Sequence, residues 1–165
     1  MAKELCVRQR QYAFVTTNSE YNNLVTRNVL CCTILYGIDL QSGVAFLAHF
    51  DFPWTTKHIS KIVMEAKEKA GGGQDLKFEI INGSLWVSII FLGSAFFTRY
   101  FLRRKLAALG YFDSIIDHKF CLSRLRRTVR YNSSKREIDI LAYYVHNGEL
   151  DSSVSNSMTK ANGSA

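Results

Sequence analysis

Two adjacent cysteines, Cys31 and Cys32, stand in the apolar run "NVLCCTILYG", and His49 follows in "FLAHFDFP". A thiol becomes a nucleophile when its thiolate is populated, and a neighbouring imidazole achieves this by taking the proton and staying as a cationic partner. A third polar group then holds the ring in one orientation. The pattern is therefore that of thiol-based nucleophilic catalysis. The same residues also suit plain core filling, because a buried free cysteine behaves as a small hydrophobe and a strand histidine is often a satisfied core residue.

The elements that must position these groups form a hairpin. Residues 25–36 read as a strand, "GIDLQSG" at 37–43 as a turn and "VAFLAHF" at 44–50 as the returning strand. Pairing about the centre of 37–43 sets His49 across from about residue 31, level with both cysteines. Strand alternation lets only one of the two share its face. Asp51, two residues past His49, lies on the same strand face and competes for the role of orienting the imidazole. Both strands are apolar throughout, so a layer is expected on each side of their sheet.

"QYAFVTT" at 11–17 adds a further strand. After Pro53 the spacing of Ile59, Ile62, Val63, Ala66 and Ala70, ahead of a glycine stop, predicts a helix. "KFEIINGSLWVSIIF" reads as two strands turning at Asn82-Gly83, and a second helix is expected from Ser94 to Leu109 with Gly110 as terminator. A last hairpin turns at Asn132–Ser134, and Phe91, Phe96, Phe97 and Phe101 read as core. Together these predict an α/β sandwich with a mainly antiparallel central sheet flanked by helices. Residues 1–150 read as one domain and 151–165 as a loose polar tail.

The net charge of +7 belongs to one patch. Lys119, Arg124, Arg126, Arg127, Arg130, Lys135 and Arg136 lie between residues 118 and 136 with no acidic residue among them, and the rest of the chain balances. On a two-residue period much of the patch reads as an ordinary solvated strand edge, and since it matches no compact nucleic-acid motif, an acidic protein is favoured over nucleic acid as any partner. The arginines at 124, 126, 127 and 130 are the docking candidates. No stretch is long enough for a membrane span, and the first residues lack the apolar block of a secretory signal. No cysteine–histidine spacing suits a zinc clip, and four cysteines without a framework suggest reduced thiols. Cys6, Cys121, His58, His118 and His146 lack partners at telling spacing.

"TRNVLCCTILYGIDLQSGVAFLAHFDFP" resembles the core of the CheD-type chemoreceptor glutamine deamidases: threonine, five residues, cysteine, a strand, a turn ending in glycine, then alanine-histidine and proline. The resemblance selects Cys32 over Cys31 and adds Thr26, which would orient His49. It is looser at "TRYFLRRKLAALG" and "RRTVRYNSSKREI". Leu30-Cys31 replaces the family's glycine-serine pair before the nucleophile, and its glycine-rich stretch corresponds to "NGS" or "LGS". The same threonine-cysteine-histidine set occurs in the cytotoxic necrotizing factor and Burkholderia lethal factor toxins, which deamidate host proteins. The resemblance implies a protein-glutamine deamidase in which Cys32 attacks the carboxamide, His49 protonates departing ammonia, and water cleaves the thioester. It implies no cofactor. The partner would be a protein carrying a reactive glutamine, a chemoreceptor in the cytoplasm or, for a secreted effector, a host protein. The alternative is an inactive CheD-like module that uses its basic surface for binding.

Overall fold

The apolar run over residues 25–36 is not one strand. It is divided between two sheets by a bend at Leu30–Cys32. The computed structural model describes residues 3–16, 19–72, 75–90, 93–118, 120 and 126–143; Cys121, Arg124, His146 and the tail over 151–165 lie outside them. The first sheet has the order β1 (Glu4–Cys6), β3 (Asn23–Val29), β8 (Arg126–Asn132), β9 (Glu137–Tyr143). The second has the order β2 (Tyr12–Val15), β5 (Ala45–Phe50), β4 (Thr33–Asp39), β6 (Leu76–Asn82), β7 (Ile115–Asp117). Among the described residues, only β1–β3 and β6–β7 pair in parallel.

This is the expected α/β sandwich, with two sheets in place of one central sheet. Alternation along the strands of the second sheet builds both its layers. Leu35, Phe46, Ala48, Phe50, Phe78 and Ile80 point outward against α1 (Ile59–Lys69) and α3 (Ser94–Ala108), packing on Ile59, Ile62, Leu102 and Leu106. Ile34, Tyr36, Ile38, Ala45 and Leu47 point inward and meet Leu24, Val29, Val129 and Tyr131 of the first sheet. The two layers expected over β4 and β5 are thus helices on one side and another sheet on the other.

Within the β4–β5 hairpin, Thr33 pairs with Phe50, Ile34 with His49 and Ile38 with Ala45. The register differs from the sequence expectation by about three residues because the turn is tighter than 37–43. The Asp39 carboxylate takes hydrogen bonds from the Ser42 backbone at 2.7 Å and its hydroxyl at 2.8 Å, and Gly43 supplies a positive φ of 73°. Those bonds let β4 continue to Asp39.

Asn82-Gly83 is not a hairpin turn either. β6 ends at Asn82 and the chain enters the short helix α2 (Leu85–Ile90). The helix after Pro53 begins as a 3-10 turn, Pro53–His58, before α1. α3 falls where expected, and the β8–β9 hairpin forms as expected but turns over residues 133–136, since Asn132 still pairs with Glu137. Phe96 and Phe97 are about half exposed and Phe101 is 36% exposed, so the aromatics of α3 line its outer face, while Ala95, Thr98, Leu102 and Leu106 form its buried one. Phe91 lies outside the described residues. Among the described residues, no helix is long and apolar enough to cross a membrane.

Candidate active site

Thr26 and His49 face each other across the sandwich. Thr26 shares the inner face of β3 with Leu24, and His49 shares that of β5 with Ala45 and Leu47. Thr26 Oγ1 and His49 Nδ1 are 2.7 Å apart, and both residues are buried. A β-bulge makes this approach compatible with the bend that follows. The β3–β8 register slips between Thr26 and Val29, where exposed Arg27 and Asn28 form the extra length and Asn28 adopts φ 61°. Asparagine tolerates that left-handed conformation better than most residues. Thr26 and Val29 can therefore both face inward although they are three positions apart.

Cys32 sits at the corner where the chain passes from one sheet to the other. Its side chain is buried in the layer between the sheets. Cys31, in contrast, is half-buried. The bend is pinned by backbone bonds from Gly83 N to Cys32 O (3.0 Å) and from Ser84 N to Leu30 O (2.6 Å). The Ser94 hydroxyl at the start of α3 reaches both Asp51 O (2.9 Å) and Cys31 O (3.3 Å). Both segments the sequence offered as a glycine-rich counterpart, "NGS" at 82–84 and "LGS" ending at Ser94, thus contribute a residue that touches this bend.

Sequence reasoning missed two neighbours of the site. A turn over Arg8–Gln11 is closed by Gln11 N to Arg8 O at 3.1 Å and fastened to β5 by Arg10 N to His49 O and His49 N to Gln11 O, each 2.9 Å. From it, Gln9 Nε2 donates to Cys32 Sγ at 3.6 Å. Arg10 Nε donates to Asp51 Oδ2 at 2.6 Å. The only local hint in "VRQRQ" is its break in apolar pattern, and a turn assembled by pairing with a strand some forty residues away leaves no short-range signature.

Of the two residues that competed for the imidazole, Thr26 is the one in hydrogen-bond contact with it, while Asp51 bonds Arg10. Arg126 donates to Asn28 Oδ1 at 3.3 Å, Arg127 donates to the Asn82 carbonyl at 2.6 Å, and Arg130 lies 3.2 Å from Glu4 Oε1. Three of the four docking candidates are thereby engaged within the fold, and Arg124 lies outside the described residues.

Burial alone draws His49 down to about 3, so its ring is neutral near pH 7. Nδ1 can then donate to Thr26 and leave Nε2 as a free base. Nε2 is buried with no hydrogen-bond partner. The two thiols act on each other: the hydrogen bond from Cys32 eases Cys31 down to about 7, while that contact and burial push Cys32 up. The negative charge of Asp51 also opposes ionisation of both.

The histidine has a consequence for stability. Unfolded His49 titrates near 6.5 and folded His49 near 3, so between those values the unfolded chain binds the extra proton. Its contribution is complete above about pH 6.5 and is lost as the pH falls toward 3. The expected loss is on the order of 3 kcal/mol by about pH 4. His49→Gln should therefore flatten the fall in melting temperature over that range; a curve as steep as the wild type would refute the assignment.

A model of the protein N-terminal asparagine amidohydrolase family matches residues 1–83, half of the 165-residue chain. The matched stretch contains Gln9, Arg10, Thr26, Cys32, His49 and Asp51. Fold and match together define a deamidase-type hydrolase acting on amides. The chain belongs to the protein N-terminal asparagine amidohydrolase family. The family shown is a deamidase-type one, as the resemblance implied, but the match does not extend to the CheD type specifically. Among curated proteins, none matches the chain.

Proposed function

We propose that the protein hydrolyses the side-chain amide of an N-terminal asparagine on a protein or peptide, with Cys32 as nucleophile, His49 as base and acid, and Thr26 orienting the imidazole. The observation that carries this reading is the buried pair of Thr26 Oγ1 and His49 Nδ1, with His49 Nε2 left unpartnered in the layer that also holds Cys32. Nε2 takes the thiol proton as Sγ adds to the amide carbon. The C–N bond then breaks, and the same proton leaves with ammonia. Water, deprotonated by Nε2, cleaves the thioester to release aspartate and restore the thiol. Gln9, whose amide already donates to Sγ, stands where an N–H can meet the oxyanion that forms on the carbonyl next to it. This offers a donor that the bulky Leu30-Cys31 pair does not.

The substrate follows the family's description, and the roles of the residues follow the geometry. A second reading keeps the same chemistry on an internal glutamine, of a chemoreceptor or of a host protein, and rests on the spacing of Thr26, Cys32 and His49. Ammonia release from an N-terminal-asparagine peptide, with mass analysis of product and enzyme, tests the first. The wild type should convert the peptide to its aspartate form. Cys32→Ala should abolish conversion, and Cys31→Ala should retain it. Conversion by Cys32→Ala, or a thioester trapped on Cys31, would sink the assignment.

A further inference from the structure

Asp51 is a buried acidic residue that the chemistry above does not use. It is 7% exposed, and its carboxylate is divided in function: Oδ2 accepts from Arg10, whereas Oδ1 is buried with no hydrogen-bond partner. A buried carboxylate oxygen without a protein partner is costly, and such a group is retained where something else completes it.

Its position is set by the hairpin. Thr33 pairs with Phe50 at the end of the β4–β5 ladder, and Cys32 and Asp51 are the next residue on each arm. The Ser94 hydroxyl, bonded to the carbonyls of both Asp51 and Cys31, fixes the two segments side by side. The carboxylate is near enough for its charge to act on both thiols. Beyond it, Phe52 stacks on Trp54 with ring centroids 4.4 Å apart, Arg10 lies over Phe52, and Trp54 is 63% exposed. The carboxylate is thus joined through Arg10 to a stacked aromatic pair whose outer ring is exposed.

We propose that Asp51 Oδ1 receives the free α-ammonium of the substrate and so confines the reaction to a chain-terminal residue. The inference rests on the proposed amidase reading and supplies what that reading lacks, the group that distinguishes a terminus from an internal side chain. In asparagine the α-nitrogen is only three bonds from the side-chain amide carbon, about 2.5–4 Å. A carboxylate on the arm beside Cys32 can therefore hold the ammonium while Sγ reaches that carbon. An internal or acetylated residue has no charge to offer and leaves Oδ1 unpaired, the kind of penalty that gives a polar site its selectivity. Occupation has a second effect: neutralising Asp51 removes a charge that opposes thiol ionisation, so the correct substrate would favour its own nucleophile.

The test compares two peptides identical except that one begins with a free asparagine and the other with N-acetyl-asparagine, assayed by ammonia release. The wild type should prefer the free amine by about 100-fold or more in kcat/KM. Asp51→Asn should bring that ratio to within about tenfold, chiefly by raising KM for the free-amine peptide. Arg10→Met leaves the carboxylate in place and should retain the preference. Loss of preference in both variants, with equal falls in melting temperature, would mark the Arg10–Asp51 pair as structural and overturn the inference. A wild type that hydrolyses both peptides alike would overturn it while leaving the amidase reading intact. A wild type that hydrolyses neither would overturn both.

Discussion

Replacing His49 by alanine is expected to lower kcat/KM for amide hydrolysis by about 10³- to 10⁴-fold. Two separate losses produce this. The thiol proton has no acceptor, and ammonia has no acid from which to take one. Burial keeps the ring neutral near pH 7, with Nδ1 beside Thr26 and Nε2 unpartnered, so the wild-type base requires no prior deprotonation. Thr26→Val should cost less, about 10- to 100-fold, because a misoriented base still works part of the time. Alkylation of Cys32 at slightly acidic pH should fall in the same order.

The adjacent thiols supply the sharpest challenge to that prediction. Cys31 is drawn down to about 7 by its contact with Cys32, so the pair could release a proton without any histidine. Activity of His49→Ala within about tenfold of wild type would mean that the neighbouring thiol populates the nucleophile. Combining His49→Ala with Cys31→Ser would then remove what remains. The geometry favours the histidine, since Cys32 is fully buried in the layer that His49 faces, whereas Cys31 is only partly buried against it.

The parts of the site legible in sequence were those carried by spacing along one hairpin. Cys32 and His49 lie on neighbouring arms that a short turn brings side by side, with His49 opposite Ile34, two residues past Cys32, and Thr26 entered through the family-like spacing of its segment. The break between β3 and β4 was not legible, because residues 29–36 are apolar without a glycine or proline. The signal was the polar Arg27-Asn28 pair just before that run, the extra length of a bulge. Recognised as a bulge, it would have placed Thr26 in one sheet and His49 in the other. Gln9, Arg10 and the orphan oxygen of Asp51 depend on contacts between segments far apart in the chain, which periodicity cannot report. The outward aromatics of α3 were misread for a related reason. Composition marks them as apolar, but the face of a helix is decided by what lies opposite, here Leu102 and Leu106 against the second sheet.

Gly83→Ala is expected to destabilise the fold by about 3 kcal/mol or more and to remove most activity from the molecules that still fold. Gly83 has no positive φ among the described residues, so the cause is not conformational freedom. It is distance: a Cβ built on Gly83 would lie 2.1 Å from the Leu30 carbonyl oxygen, 2.6 Å from its carbon and 3.2 Å from the Cys32 oxygen. All three are backbone atoms, so no side chain can swing aside. To admit the methyl group, β6 and the Leu30–Cys32 bend must separate. That stretches the bonds from Gly83 N to Cys32 O and from Ser84 N to Leu30 O, each worth about 1 kcal/mol, and adds strain. The same movement displaces Cys32 from the inter-sheet layer, and a shift of about 1 Å at a nucleophile can cost about 100-fold in rate. Thermal unfolding and single-turnover release of ammonia should fall together. If the variant melts within about 0.5 kcal/mol of wild type, β6 does not press on the bend as described, and the positioning assigned to Gly83 is wrong. If it is destabilised but turns over at the wild-type rate, the close approach serves the fold alone and the nucleophile is held by Ser94 and the β4–β5 register.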